Sequence, residues 1–218
     1  MIRIFSIILL FTCSTVLFAQ NPEDFADVTV LPGWSNSNQS APVGTTGWIQ
    51  GSTAVFNSHE GADTAFLAAN FNNTSGGADQ ASGVICNWQI MPDNDMGKLK
   101  FYSRSTIAQN GTDVFADRLR IRYSPTGNIN VGDCTNDFGD FTEELIVINP
   151  NLSGEDYPIG YPLNDWQEFQ TAVPGDGRIA FVYHVTSAGP LGANSNYVGI
   201  DTVSWVDASD LIFFDSFD

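Results

Sequence analysis

The feature that most constrains this fold is a succession of short apolar or alternating runs separated by residues that favour turns. No useful length of chain shows the 3.6-residue repeat of an amphipathic helix. Alternation at every second residue between Gly-, Asn-, Asp-, Ser- and Pro-rich breaks is typical of an all-β sandwich or barrel. The predicted strands are Gly47–Gln50, Thr53–Asn57, Thr64–Asn70, Gly83–Ile90, Lys98–Ser105, Asp117–Ser124, Glu143–Ile148, Gln167–Thr171, Arg178–Thr186 and Tyr197–Val206.

The connections between these runs carry turn chemistry. Pro92-Asp93-Asn94-Asp95 and Pro174-Gly175-Asp176-Gly177 combine residues that preset or tolerate turn geometry. Residues 189–196 form a long polar loop before the last predicted strand. We find no internal repeat and no long linker, and the chain length suits a single β-rich domain.

The first residues have the pattern of a secretory signal peptide. Arg3 is followed by an apolar run from Ile4 to Phe18, and Ala19 is a small residue suited to cleavage. The run is too short to favour a stable membrane span. We therefore expect a signal peptide over 1–19, a domain over 20–206 and a short acidic, aromatic tail over 207–218. The expected location is extracytoplasmic, either secreted or on the cell surface.

The charge balance excludes one class of partner. The chain has 25 acidic against 8 basic residues and a net charge of −17. A surface this acidic repels the phosphate backbone, so we expect no nucleic-acid partner. Abundant carboxylates do suit the oxygen ligands that Ca²⁺ prefers, or they serve solubility alone.

Two cysteines remain after the predicted cleavage. Cys86 and Cys134 form an even pair in an oxidising compartment, which favours a disulfide between them. A zinc site made from these cysteines with His59 and His184 lacks the short paired spacings that such sites use.

Six of the seven basic residues outside the signal peptide alternate with apolar residues in two predicted strands. Such alternation places the charged side chains on the outer face of a sheet. If the two strands are neighbours, a basic face results. Its predicted ligand-binding residues are Tyr102, Arg104, Arg118, Arg120 and Arg122. The alternative is cross-strand pairing with an acidic strand such as Glu143–Ile148.

The sequence shows no convincing catalytic set. His184 lies in an apolar strand, which favours a hydrogen-bonded histidine of a sheet over a catalytic base. Glu143 and Glu144 are adjacent in a predicted strand, so they point to opposite faces and cannot by themselves act as a glycosidase pair. The acidic loop 133–140 lacks EF-hand spacing, although a looser Ca²⁺ loop stays open.

Several short strings occur in a specific order along the chain. They are Leu31-Pro32-Gly33-Trp34, Gly47-Trp48-Ile49-Gln50-Gly51, Ala68-Ala69-Asn70-Phe71-Asn72, Asn87-Trp88-Gln89-Ile90, Asp117-Arg118-Leu119, Val131-Gly132-Asp133, Arg178-Ile179-Ala180-Phe181 and Gly192-Ala193-Asn194-Ser195-Asn196-Tyr197, the last running into Val198-Gly199-Ile200-Asp201-Thr202-Val203. Together they resemble the choice-of-anchor J family of secreted bacterial domains. That family is similar to the cleaved adhesin domains of gingipain-type proteases and, more distantly, to MAM domains.

The resemblance covers about Glu23 to Val206 and implies a jelly-roll β-sandwich of two mainly antiparallel sheets. It also implies a structural cation where the first and last strands meet. The matching positions are Glu23, Asp24, Asp27 and Asp201, with Ala26 where many relatives carry an acid. The tail would serve as an export address or a last edge strand.

These observations predict a secreted or cell-surface, non-catalytic domain for adhesion or ligand binding. The expected partner is a glycan or a protein, with a possible structural Ca²⁺. Two alternatives stay open, a polysaccharide hydrolase on a similar sandwich and a self-associating component of an extracellular matrix.

Overall fold

The computed structural model describes residues 22–76, 83–108 and 111–207. Within them the chain is almost entirely β-structure, with one short 3₁₀-helix at Phe71–Asn73. The strands are β1 (Ser35–Asn38), β2 (Ile49–Gln50), β3 (Leu67–Asn70), β4 (Val84–Ile90), β5 (Asn94–Arg104), β6 (Leu119–Ser124), β7 (Glu143–Ile148), β8 (Gln167–Thr186) and β9 (Tyr197–Asp207). The predicted signal peptide and most of the predicted tail lie outside the described residues.

The strands form a jelly-roll β-sandwich of two antiparallel sheets that share one strand. Sheet I has the order β1-β4-β8-β6-β7, and sheet II has the order β2-β3-β9-β5-β8. Residues 178–186 of β8 pair with β4 and β6. Residues 167–177 of the same strand pair with β5. The long strand β8 therefore passes from one layer of the sandwich into the other.

The main core fills the space between the two sheets. The alternating pattern of β5 directs Leu99 and Phe101 inward, and that of β6 directs Leu119 and Ile121 toward them. Phe101 meets Phe181 of β8 edge to face at a centroid distance of 5.1 Å. Full burial of each such side chain is worth about 1.5–3 kcal/mol, so this interface dominates the stability of the domain.

The predicted disulfide is confirmed. Cys86 of β4 is bonded to Cys134, with 5.8 Å between the two Cα atoms. Cys134 belongs to the loop 130–141, which covers the outer face of sheet I. There Trp88 and Phe141 pack in a second, smaller core around the disulfide. The covalent bond thus fastens a covering loop to the sheet beneath it.

One predicted strand within the described residues is absent from the structure. Thr53–Asn57 forms a turn and loop rather than a strand. Its apolar side chain Phe56 is buried against Phe66 and Tyr197, so packing on the outer face of sheet II accounts for the apolar pattern.

The second error concerns β8, which runs straight through the predicted turn 174–177. The pairing of β5 with β8 shifts register here, since Met96 pairs with Gly175 but Lys98 pairs with Ala172. The extra residue of β8 makes a bulge that contains Pro174. Proline is tolerated at a bulge because its missing N–H is not needed for the ladder.

The sequence patterns also missed two strand segments. β1 is absent from the predictions, and β5 begins at Asn94, inside a predicted turn. In the part of the chain that the structure describes, no helix has the length and apolar character needed to cross a membrane.

Candidate functional site

A groove of about 620 Å³ opens at one end of the sandwich, where loops from both layers meet. Its walls are formed by the loop between β2 and β3, the 3₁₀-helix after β3, the segment between β5 and β6, and the loop before β9. Its apolar lining includes Val55, Phe71, Ile107, Phe115, Pro190 and Tyr197. Thr106, Ser195 and Asn196 add polar groups to the same lining. An apolar concavity with a few convergent polar groups is the usual form of a ligand site.

One buried carboxylate ties two walls of this groove together. Asp117 Oδ2 accepts a hydrogen bond from Ser105 Oγ at 2.5 Å. Asp117 Oδ1 accepts from Tyr183 Oη at 2.5 Å and from the backbone N–H of Asn196 at 2.8 Å. Asn196 Nδ2 in turn donates to the carbonyl of Thr106 at 2.8 Å. The segment after β5 and the loop before β9 are therefore held in a fixed relation.

Burial governs the ionisation of this network. Removal from water raises the pKa of Asp117, while hydrogen bonds from Ser105 and Tyr183 act in the opposite direction. Burial together with the neighbouring Asp117 carboxylate raises the pKa of Tyr183 well above its ordinary value. Tyr183 therefore stays protonated and keeps donating its hydrogen bond near neutral pH.

The predicted ligand-binding residues do not form a single basic face. β5 pairs with β8 and β9, whereas β6 pairs with β7 and β8, so the two basic strands are not neighbours. Tyr102 and Arg104 lie on the outer side of sheet II. The arginines of β6 and its N-terminal flank lie on the outer side of sheet I. The expectation of one continuous face is corrected by this strand order.

The arginines on sheet I are largely engaged within the protein. Arg120 and Arg122 both donate to Glu144 Oε2 of β7, the latter at 3.2 Å. Arg122 also donates from Nη2 to the carbonyl of Phe141 at 2.8 Å. Arg118 Nε donates to the carbonyl of His184 at 2.8 Å. The alternative of cross-strand pairing with Glu143–Ile148 is confirmed for Arg120 and Arg122.

His184 is part of this cluster. Its Nδ1 accepts a hydrogen bond from Arg120 Nε at 3.2 Å, which requires an unprotonated Nδ1. Burial lowers the pKa of His184 to about 3, and the charges of Arg118, Arg120 and Arg122 contribute further. The predicted role as a hydrogen-bonded histidine of the sheet is confirmed.

On sheet II, Tyr102 and Arg104 also have partners. The Tyr102 ring stacks on His59 with 3.6 Å between centroids, and its hydroxyl donates to Glu168 Oε2 at 2.8 Å. The Arg104 guanidinium lies 4.3 Å from the centre of the Phe56 ring. Burial lowers the pKa of Arg104. Both side chains remain half-buried, and a role in ligand binding remains a prediction for them.

Of the four predicted metal ligands, Glu23 and Asp201 lie where the first described residues meet β9, and Asp24 and Asp27 lie in local turns. Asp201 is fully buried, and its Oδ2 accepts hydrogen bonds from the backbone N–H groups of His59 at 2.7 Å and Glu60 at 3.1 Å. Burial raises the pKa of Asp201 to about 6, and the charge of Asp24 raises it further. Glu23 N–H donates to the carbonyl of Val203 at 2.8 Å, so the first described residues do meet β9.

The other two predicted ligands close turns in their own segment. Asp24 Oδ1 accepts from the N–H of Ala26 at 3.2 Å, and Asp27 Oδ1 accepts from the N–H of Thr29 at 2.9 Å. Among residues 22–76, 83–108 and 111–207, no group of three or more His, Cys, Asp or Glu side chains is arranged to hold a metal ion. The calcium site therefore stays a prediction.

Sequence reasoning identified the loop 189–196 but not the groove that it helps to form. The lining comes from several separate segments, and Phe71, Ile107 and Phe115 carry no local pattern that distinguishes them from core residues. One usable signal was present in the string Asp117-Arg118-Leu119. An acid that directly precedes an alternating apolar strand needs donors when it is buried.

Comparison with protein-family models gave no match, and comparison with curated proteins gave none either. Solved structures do share the fold. The K2 cleaved adhesin domain of Lys-gingipain aligns with a TM-score of 0.54 at 18% identity, over 87% of this chain and 98% of that domain. The K3 domain from Porphyromonas gingivalis W83 aligns with a TM-score of 0.52 at 16% identity, over 86% of this chain and 96% of its own.

The K1 cleaved adhesin domain from the same organism aligns with a TM-score of 0.50 at 18% identity, over 82% of this chain and 92% of that domain. Similarity at these identities concerns the fold and carries no residue roles. The chain thus has the β-sandwich architecture of gingipain cleaved adhesin domains.

Proposed function

We propose that this chain is a non-catalytic binding domain of the choice-of-anchor J type, secreted or held at the cell surface. Its ligand is a glycan or a protein, taken into the groove at the loop end of the sandwich. The observation that carries the proposal is an apolar groove whose walls are fixed by the buried carboxylate of Asp117.

A fixed groove favours binding because little conformational freedom is lost when a ligand enters it. Phe71 lies at this groove with 36% of its surface exposed. An exposed aromatic ring offers a large contact area to a sugar ring or to an apolar side chain. Thr106, Ser195 and Asn196 line the same space and supply polar groups that orient a ligand.

The hydrolase alternative has less support from the geometry. Glu144 is engaged by Arg120 and Arg122, and its neighbour Glu143 lies on an exposed part of β7. Neither residue lines the groove. Polysaccharide turnover that disappears on changing two acids within one cleft would nevertheless establish the hydrolase.

The experiment for the proposed function is binding of the mature chain to a glycan array and to surface-protein extracts. The variant Phe71→Ala should weaken any ligand captured by the groove by about tenfold, in keeping with loss of a partly buried aromatic contact. The control variant Ile129→Ala removes an apolar side chain that is 47% exposed and outside the groove. Equal binding by both variants would place the ligand elsewhere.

A structural calcium ion is a further part of the proposal. Glu23, Asp24, Asp27 and Asp201 would supply the oxygens once the turns closed by Asp24 and Asp27 open, because no three of the described carboxylates are grouped to hold an ion as they stand. The raised pKa values of Asp201 and Glu23 reflect carboxylates that burial leaves without full compensation. A cation offsets such a cost. Calcium at 100 times its dissociation constant would add about 2.7 kcal/mol, or roughly 5–10 °C in the melting temperature. No shift between calcium and a chelator would remove the ion from the proposal.

A further inference from the structure

The groove lies at one end of the sandwich, where β9 begins at Tyr197. β9 ends at Asp207 toward the other end, and the acidic, aromatic segment 208–218 follows it in the sequence. We propose that the groove of one molecule takes the segment 208–218 of a second copy, which makes the chain a head-to-tail self-associating domain. This inference rests on the proposed function of the groove as a binding site, and it names the partner.

The first argument is the apolar character of the groove and its rim. Val55, Ile107 and Phe115 line it, and Phe71 is partly exposed beside them. Leu191 is 68% exposed and lies between Pro190 and Gly192, both of which line the groove. Contiguous exposed apolar surface of this kind marks an interaction site. Its natural occupant is a segment with several apolar side chains.

The second argument is the composition of the segment itself. Residues 208–218 read Ala-Ser-Asp-Leu-Ile-Phe-Phe-Asp-Ser-Phe-Asp. Four consecutive apolar residues, Leu211 to Phe214, are followed by Phe217. Aromatic side chains are the most frequent anchors of protein interfaces because they bury a large area with few rotatable bonds.

The third argument is distance, which decides whether the segment comes from the same molecule or from a second copy. β9 runs from Tyr197, which lines the groove, to Asp207, from which the segment continues. Ten steps of a strand span about 33 Å. Phe213 and Phe214 are six and seven residues beyond Asp207, so they reach at most about 20–25 Å even when fully extended. Both therefore fall short of their own groove, and Phe217, ten residues beyond Asp207, spans that distance only if the segment runs fully extended back along β9. The groove of another molecule has no such limit.

Contact between a groove and a segment at opposite ends is a heterologous interface, which propagates unless rotation closes it. Charge sets a further condition. The chain carries a net charge of −17, so two copies repel each other at low ionic strength. Arg104 places a positive charge near the groove within this acidic chain. Its guanidinium covers Phe56, and the Phe56 ring packs at 5.4 Å on Tyr197, which lines the groove. We therefore expect association to strengthen as salt is added.

The test uses two variants of the full mature chain in sedimentation experiments. Phe71→Ala impairs the groove and keeps the segment, whereas the double variant Phe213→Ser/Phe214→Ser impairs the segment and keeps the groove. Each alone should associate at least about tenfold more weakly than the parent, as expected for loss of buried aromatic contacts. An equimolar mixture should recover discrete pairs but no longer chains, since only one complementary contact remains.

Matched controls are Ile129→Ala for the groove variant and Ser216→Ala for the segment variant, and both should associate like the parent. Thermal unfolding of each variant reports whether the fold survives. A parent chain that stays monomeric at high salt overturns the inference, as does association that either impaired variant leaves unchanged. If ligand binding depends on Phe71 while the parent stays monomeric, the self-association fails and the proposed function stands.

Discussion

The two outer faces of the sandwich are each covered by a loop, but the loops are held by different interactions. On sheet I, loop 130–141 is fastened by the Cys86–Cys134 disulfide and by Arg122, which donates to the carbonyls of Phe141 and Thr142. On sheet II, loop 51–66 is held by packing of its own Phe56 and Phe66 against Tyr197 and by hydrogen bonds from its His59 and Glu60 N–H groups to Asp201. A disulfide therefore anchors the loop that covers sheet I, and an aromatic cluster helps anchor the loop that covers sheet II.

The difference has a consequence for the groove. Val55 and Tyr197 line it, and both belong to the aromatic side of the molecule rather than to the disulfide side. Packing contacts lose strength gradually as side chains are truncated, whereas a covalent bond is present or absent. Perturbation of the cover on sheet II should therefore affect binding, and perturbation of the cover on sheet I should affect stability alone.

The largest effect should come from the disulfide. Replacing both Cys86 and Cys134 by alanine removes a closed loop with a sequence separation of 48 residues. The chain-entropy relation for a loop of this length gives a loss of roughly 4 kcal/mol in the free energy of unfolding. Denaturant titration measures it. Reductant should destabilise the parent and leave the double variant unaffected, and ligand binding by the folded variant should match the parent.

The variant Phe56→Ala should cost about 3 kcal/mol, because this side chain is only 7% exposed and its truncation leaves a cavity among aromatic rings. Unlike loss of the disulfide, it should also weaken groove binding through the displaced Tyr197. Parallel unfolding and binding measurements separate the two effects. Unchanged binding in a folded Phe56→Ala protein would contradict the proposed link between the aromatic cover and the groove.

Gly199→Ala tests the packing of the sheet II loop from the β9 side, because Gly199 lies in β9 beneath Phe56 and Trp166. A Cβ at this position would lie 2.7 Å from Trp166 Cη2 and 2.9 Å from Phe56 Cε2, so the rings that cover β9 must move. Overpacking of this kind costs about 2 kcal/mol. Gly47→Ala is a matched control because the nearest atom to its Cβ is 4.0 Å away. Similar melting temperatures for the two variants would show that the cover adapts freely.

The effect on the polar side of sheet I is the smallest near neutral pH and grows as the pH falls. The folded pKa of His184 is about 3, below its ordinary value of 6.5. Its contribution to stability is therefore complete above pH 6.5 and is lost as pH falls toward the folded pKa. The loss is about 1 kcal/mol for each pH unit within this window. His184→Gln should show a shallower decline than the parent between pH 6 and pH 4, and parallel curves would contradict the assignment.

Local alternation in the sequence predicted β6 and β7 well, because core residues such as Leu119 and Ile121 alternate with arginines that pair with Glu144. It failed at β8, where Pro174 and Gly175 have turn chemistry but occupy a bulge in a continuous strand. Whether Pro174 and Gly175 form a turn or a bulge depends on pairing with β5, which is remote in the sequence. Tertiary pairing overrides local propensity in such cases.

The candidate site was less predictable for the same reason. The groove exists only because the segment around Thr106 and the loop around Asn196 are joined through Asp117. No spacing within one segment encodes that contact. Alternation placed the arginines on the outer sheet faces as observed, but Arg118 and Arg122 are buried there rather than open to solvent. Their division between two sheets follows from strand order, which alternation does not specify.

β8 contributes its 20 residues to both layers, and this sharing has a consequence for how the domain unfolds. Sheet I cannot lose β8, its central strand, without withdrawing from sheet II the edge strand that pairs with β5. The two layers therefore cannot behave as separable units of stability. We expect a single cooperative transition, with the amides of residues 178–186, flanked by β4 and β6, among the slowest to exchange with solvent.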